Sequence, residues 1–268
     1  MDIQTNLSPQ RQFEVADVQV QVFADKNRLG QAAAGFVADR VRHAIAARGE
    51  ANVIFATGAS QYEFLDALVQ IEDVDWSQVN AFHLDEYLGL PDTHPASFRR
   101  YLRERLFEHL PFGAVYLLNG TAPDPQAECA RYAALLAKRT IDLACIGIGE
   151  NGHLAFNDPP ADFTTPNLVH VVTLDKACRQ QQVGEGHFPS LDAVPKQALS
   201  LSIPAIMRAA TISCVVPDLR KAEAVRCTLE GPVTPDCPAS VLRRHDDCAL
   251  FLDVDSASLL SPQTTSGS

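Results

Sequence analysis

Three short clusters in this chain combine residue types that hold anions or move protons, and each follows an apolar run of strand length. The first is Thr57, Gly58, Ala59 and Ser60. A small-residue turn that opens a helix exposes backbone N–H groups, and the helix dipole adds positive potential. That suits a phosphate, but it equally suits an ordinary tight turn with Ser60 as cap. The turn is neither a Walker loop nor G-x-G-x-x-G. The second cluster is Asp85-Glu86, directly after Phe82-His-Leu84. Two adjacent acids at the end of a buried strand are costly unless they are solvated or used. One carboxylate there can serve as a general base, or the pair can cap the segment that follows. The third cluster runs from Gly147 to Pro159 and reads Gly-Ile-Gly-Glu-Asn-Gly-His-Leu-Ala-Phe-Asn-Asp-Pro. Its glycines at 147, 149 and 152 let the backbone approach a ligand closely. His153 can carry protons near neutral pH. Asp158, five residues on, can orient that ring or tune its pKa. One cation stands apart: Lys221 sits in the first turn of a helix, behind Asp218. Its ammonium could reach a phosphate at the same sheet edge, or it could be a surface lysine on an exposed turn.

The elements that must position these groups alternate in kind. Strand patterns occur at Val18–Phe23, Asn52–Ala56, Val79–Leu84, Ile141–Ile148, Val169–Thr173, Thr211–Val216 and Ala249–Asp253. Helical spacing occurs over Asn27–Ala47, from about Gln61, over Ser97–His109 and Gln126–Arg139, from Asp175, and over Leu219–Glu230. Strands alternating with helices predict an α/β fold, a mostly parallel sheet with helices on both faces. Ligands of such sheets sit beyond the carboxyl ends of the strands, where all three clusters lie. The 268 residues suit one large domain, with loose tails over about 1–15 and 261–268. The proline- and threonine-rich stretch from Pro159 to Leu168 is either a flap beside the site or a plain loop.

Composition narrows the function. The formal net charge of −11 disfavours nucleic acid and anionic membrane as partners. The densest basic stretch, Arg99 to Arg105, is interrupted by Glu104 and reads as a solvated helix face. A phosphorylated metabolite remains compatible, because it can be held locally by a few cations and N–H groups. Seven cysteines without C-x-x-C spacing read as buried free thiols of a reducing compartment. The N-terminus lacks a signal-peptide pattern, and no apolar run spans a bilayer, so a cytoplasmic location is expected.

Together the clusters resemble glucosamine-6-phosphate deaminase, within the wider group that includes 6-phosphogluconolactonase. The resemblance runs from about Asn52 to Leu259. It rests on Ala56-Thr-Gly-Ala-Ser60, Leu84-Asp-Glu-Tyr-Leu-Gly-Leu90, Leu117-Leu-Asn-Gly-Thr-Ala-Pro-Asp124, the run Gly147 to Asn157, Val194-Pro-Lys-Gln-Ala-Leu199, Lys221-Ala222 and Leu229-Glu-Gly231. It implies a modified Rossmann-like fold and a reaction that uses no metal and no cofactor. By resemblance, Asp85 moves a proton between C2 and C1 of an open-chain amino-sugar 6-phosphate, and His153 assists ring opening. Asn151 and Asp158 support that histidine. Thr57 to Ser60 and Lys221 hold the phosphate, and Glu86 and Gly152 complete the expected substrate contacts. The amine would leave as ammonia, giving a ketose 6-phosphate. The resemblance leaves both a monomer and a homo-oligomer open.

The chain departs from the family pattern in places. Asn151 stands where either aspartate or asparagine occurs, and Asp158 stands where many members have the longer glutamate. Ala59-Ser60 replaces the common Gly-Thr. The family's phosphate-gripping arginine falls on a glutamine or a glycine of the segment Arg179 to Phe188, with Arg179 as a substitute from a different place. Three other readings therefore stand beside the deaminase: an isomerase of another sugar phosphate, a lactone hydrolase, and a non-catalytic sugar-phosphate sensor.

Overall fold

A computed structural model describes residues 7–184, 186 and 188–265. In chain order the elements are β1 (Arg11–Val15), β2 (Val18–Phe23), α1 (Lys26–Arg48), β3 (Ala51–Phe55), α2 (Tyr62–Leu68), β4 (Val79–His83), β5 (Asp85–Tyr87), α3 (Phe98–Leu102), β6 (Ala114–Tyr116), α4 (Pro125–Ala137), β7 (Leu143–Ile146), β8 (Val169–Thr173), α5 (Lys176–Gly184), β9 (Gln197–Leu201), α6 (Ile203–Ile206), β10 (Thr211–Val216), α7 (Ala222–Glu230), β11 (Cys248–Asp253) and α8 (Pro262–Thr265).

The long helix shows why these residues choose these elements. Asp25 caps α1 by accepting from the Arg28 N–H at 2.9 Å, and Gly49 ends it at φ 78, a left-handed angle that favours glycine. Leu29, Ala33, Val37 and Val41 fall on one buried stripe. The central strands β3, β7, β10 and β11 are buried along their whole length, as strands covered on both faces must be.

The main sheet has the order β1-β2-β11-β10-β7-β3-β4-β6. All neighbours are parallel except the β1–β2 pair. Residues of α1, α2 and α3 share a core with one face, and residues of α4 and α7 share a core with the other. The expected α/β sheet with helices on both faces is therefore present. The chain runs outward from β3 through β4 to β6, then returns to place β7 on the other side of β3. That reversal opens a crevice beyond the ends of β3 and β7, the place where such sheets bind ligands.

Two expectations need correction. The first 15 residues are not all loose: Arg11–Val15 pairs antiparallel with Val18–Val22, and Phe13 is buried between exposed neighbours. Near the other end, Pro262–Thr265 forms a helical turn that Glu230 holds through the Ser261 N–H at 2.7 Å and the Thr264 hydroxyl at 2.6 Å. Residues 1–6 and 266–268 lie outside the described residues. The sequence reading also missed a second, antiparallel sheet in the order β5-β9-β8. Its first strand begins at Asp85, which pairs with Ser200.

His83, the last residue of β4, is fully buried, and neither ring nitrogen has a hydrogen-bond partner. Burial, assisted by the nearby Arg99 charge, pushes its pKa down to about 3. The unfolded chain therefore takes a proton here that the folded chain refuses. Stability supplied by the neutral ring is present above the ordinary value of 6.5 and is lost as pH falls from there toward 3. Urea unfolding at pH 7 and pH 5 should show a loss about 2 kcal/mol larger for the wild-type chain than for His83→Asn. Equal losses would mean that the ring does not stay neutral.

Candidate active site

A hollow opens at the crevice. Its walls come from the ends of four parallel strands. Thr57 to Ser60 follow β3, Asp85 lies just past β4, Gly147 to His153 follow β7, and Lys221 follows β10. Groups that stand far apart in sequence thus share one cavity because parallel strands deliver their carboxyl ends to one rim.

The Thr57–Ser60 turn lies against the β7 exit. Gly58 sits at φ 97, and a tight 3₁₀ turn over Ala59–Gln61 leads into α2. The leading N–H groups of such a turn have no acceptor inside it, which leaves them for oxygen atoms in the hollow. A Cβ on Gly147 would crowd the Ser60 hydroxyl oxygen at 2.9 Å, the Gln61 amide nitrogen at 3.0 Å and the Val215 carbonyl oxygen at 3.2 Å, so glycine eases this close approach.

Lys221 is 4 % exposed and lines the hollow, so it is not the surface lysine its spacing also allowed. The turn that carries it is fixed from outside. Its backbone N–H donates to the Asp218 carbonyl at 3.0 Å. Asp218 itself has φ 78, a strained angle for a residue with a Cβ. Its N–H donates to Asp253 at 3.0 Å, and Asp253 also accepts from the Ser256 N–H at 2.7 Å.

Asp85 is 6 % exposed and faces the hollow from β5. Burial, and then the neighbouring Glu86, push its carboxyl well above the ordinary range. A raised proton affinity is a property that a general base can use.

Glu86 does not join it, which corrects the expected substrate contact. Successive side chains of a strand point to opposite faces, so Glu86 turns away from the hollow. Its carboxylate caps α3, accepting from the N–H groups of Phe98 and Arg99 and from the Ser97 hydroxyl, and it pairs with the Arg99 guanidinium at 3.2 Å. Burial raises its pKa against the pull of those donors.

His153 lines the opposite wall, its ring lying over Gly149. Behind it, Nδ1 is 3.1 Å from an Asp158 carboxylate oxygen, off the line a hydrogen bond needs, so Nδ1 is buried without a hydrogen-bond partner. Asn151 holds this arrangement together. Its amide donates to Asp158 at 3.0 Å, and its carbonyl oxygen accepts from the His153 N–H at 3.1 Å. Burial raises the Asp158 pKa, but its pairing with His153 and the Asn151 amide win, and the net shift is downward. Asp158 therefore stays charged beside the ring. Gly152 is not on the wall. At φ 83 it shapes the turn, donating to the Gly149 carbonyl and accepting from the Ala239 N–H.

Arg179 does not reach the hollow either. Its guanidinium donates to the Leu191 carbonyl, which ties α5 to the segment after it. The same helix sends Gln182 into the wall instead, buried and with its amide oxygen unpartnered. The family's arginine is expected at a glutamine or a glycine of this segment, and Gln182 is one of those glutamines. Glu185 and His187 of that segment lie outside the described residues. Phe98 and Phe156, stacked at 5.6 Å, also line the hollow, and no sequence signal separated them from core aromatics.

Comparison with known proteins follows this geometry. A family model described as glucosamine-6-phosphate isomerases/6-phosphogluconolactonase matches residues 24–251. The chain is 42% identical over 190 residues to the glucosamine-6-phosphate deaminase of Exiguobacterium sibiricum, covering 71% of this chain and 74% of that one. It is 37% identical over 221 residues to the enzyme of the same name from Bacillus cytotoxicus, covering 82% of each. A solved monomeric glucosamine-6-phosphate deaminase superposes with a TM-score of 0.84 at 35% identity, covering 90% of this chain and 99% of that one. A putative 6-phosphogluconolactonase from Neisseria gonorrhoeae, at 19% identity and a TM-score of 0.70 over 87% of this chain and 98% of its own, shares the fold. None of the described helices is long and apolar enough to cross a membrane.

Proposed function

We propose that this chain, which belongs to the family of glucosamine-6-phosphate isomerases and 6-phosphogluconolactonases, converts glucosamine 6-phosphate to fructose 6-phosphate and ammonia. The observation that carries the reading is that Asp85 and His153 line one hollow, which Lys221 and the Thr57–Ser60 turn also line. A lone histidine or a lone acid would not distinguish this chemistry.

The geometry supports the following course. The phosphate is held by Lys221 and the N–H groups of the Thr57–Ser60 turn, which positions the sugar without taking part in bond making. His153 takes the proton of the anomeric hydroxyl and returns one to the ring oxygen, so the ring opens to the aldehyde. Asp85 removes the proton from C2 and delivers it to C1, while a second proton passes from the amine nitrogen to the C1 oxygen, which leaves an imine at C2 and a hydroxyl at C1. Water adds to that imine, and the carbinolamine collapses to the ketone as ammonia departs.

Purified protein given glucosamine 6-phosphate should release ammonia and fructose 6-phosphate in equal amounts. Lactone hydrolysis without ammonia release would overturn the reading. For the phosphate grip, Lys221→Met should raise KM by about 10- to 100-fold with a smaller change in kcat, the size expected for losing a charged hydrogen-bond donor. A kcat-only effect would move Lys221 to the reacting end of the sugar.

A further inference from the structure

Behind the catalytic histidine, three donor atoms of different kinds converge. A ring nitrogen of His153, a carboxylate oxygen of Asp158 and Sγ of Cys178 all lie within 4.8 Å of one another. Two come from the loop after β7, five residues apart, and the third from the first turn of α5. Two observations set the group apart from a chance cluster. Nδ1 is buried without a hydrogen-bond partner, although the carboxylate is 3.1 Å away. Cys178 is buried, and its backbone N–H is held by Asp175 at 2.6 Å, which anchors the residue at the start of α5.

We propose that His153, Asp158 and Cys178 form an inhibitory site for a zinc-type divalent cation. One nitrogen, one oxygen and one sulfur donor match zinc and its borderline neighbours, and they do not match magnesium or calcium, which take oxygen shells. Donors around a tetrahedral zinc, with bonds of about 2.0–2.3 Å, stand about 3.4–3.7 Å apart. The observed group needs only about 1 Å of contraction to reach that spacing. Of the three donors, His153 also lines the adjoining hollow, and solvent would supply the fourth ligand. As the sulfur–metal bond forms, the thiol proton leaves to solvent. The metal takes the ring nitrogen that faces Asp158, so the imidazole can no longer be protonated and steered by that carboxylate. Ring opening then stops. The inhibition rests on the deaminase reading given above, whereas the binding site does not.

The test uses the full chain after treatment with a chelator. Cobalt(II) is added first, because a cysteine thiolate bound to cobalt gives a charge-transfer band in the near ultraviolet. The band should saturate at one equivalent, disappear on addition of zinc, and be absent in Cys178→Ala. Zinc should then slow ammonia release at least tenfold, reversibly with chelator, and Cys178→Ala should need at least tenfold more zinc for the same inhibition. Each rate is compared with that variant's own metal-free rate. If Cys178→Ala does not fold, Cys178→Ser carries the same comparison through its loss of the thiolate band. A band that persists in the variant, or no band at all, overturns the site. A band that is present and lost as expected, in a chain that releases no ammonia, leaves the metal site standing and overturns the functional reading alone.

Discussion

Asp85→Asn lowers kcat for glucosamine 6-phosphate by about 10³-fold or more, with KM changed only a few-fold. The expected size is that of losing a general base held at its substrate, about 10² to 10⁴. The carboxamide has nearly the shape of the carboxyl it replaces, and the β5–β9 pairing of residue 85 with Ser200 uses backbone groups that the change leaves alone. Binding therefore survives. What disappears is an oxygen able to carry a proton from C2 to C1. The most direct measurement is exchange of the C2 hydrogen with deuterated water, which should vanish together with turnover. The fold should not suffer, because burial already disfavours the charge at this position and an amide carries none. A variant that still exchanged C2 hydrogen would sink the assignment. Lactone hydrolysis that survived the substitution would point instead to the hydrolase branch of the family, whose chemistry needs no base at C2.

Much of this site is legible in the sequence, for a physical reason. Parallel strands deliver their exits to one rim, so polar clusters placed just after apolar runs tend to converge. Thr57 to Ser60, Asp85 and His153 all follow that rule. Lys221 follows it too, although its spacing alone could not tell a wall residue from a surface one. What decides is the anchored turn behind it, and that depends on Asp253, which is remote in sequence. Glu86 was misplaced because β5 was not recognised. Three residues give too short an alternation to show which of two adjacent acids faces inward. Arg179 and Gln182 sit on one helix, and their roles turn on which face α5 presents, a question that tertiary packing settles. Arg11–Val15 was read as tail because an edge strand with one buried residue, Phe13, carries little hydrophobic signal.

Gly149→Ala should cost nearly as much as removing the histidine itself. An alanine Cβ at that position would lie 2.3 Å from Cε1 and Nε2 of His153 and 2.4 Å from Cδ2. No real contact is that short, so the ring must swing away or the loop must shift. The ring is the cheaper of the two to move, because it is a side chain facing an open hollow, whereas the loop is fixed by the Gly149 N–H to His153 carbonyl bond at 2.9 Å. Moving the ring also breaks its approach to Asp158. Activity on the cyclic sugar phosphate should fall about 10²-fold, in the range of a lost acid–base group, while stability falls by only about 1–3 kcal/mol. Two features separate this from general damage. First, Gly149→Ala should be nearly silent when added to His153→Ala, because the two substitutions remove one group and their effects do not add. Second, the loss should be smaller with an acyclic substrate, since the displaced ring acts before isomerisation begins. Full losses that multiply in the double variant would show that Gly149 serves the loop rather than the imidazole, and the ring-opening role of His153 would then have to rest on His153 variants alone.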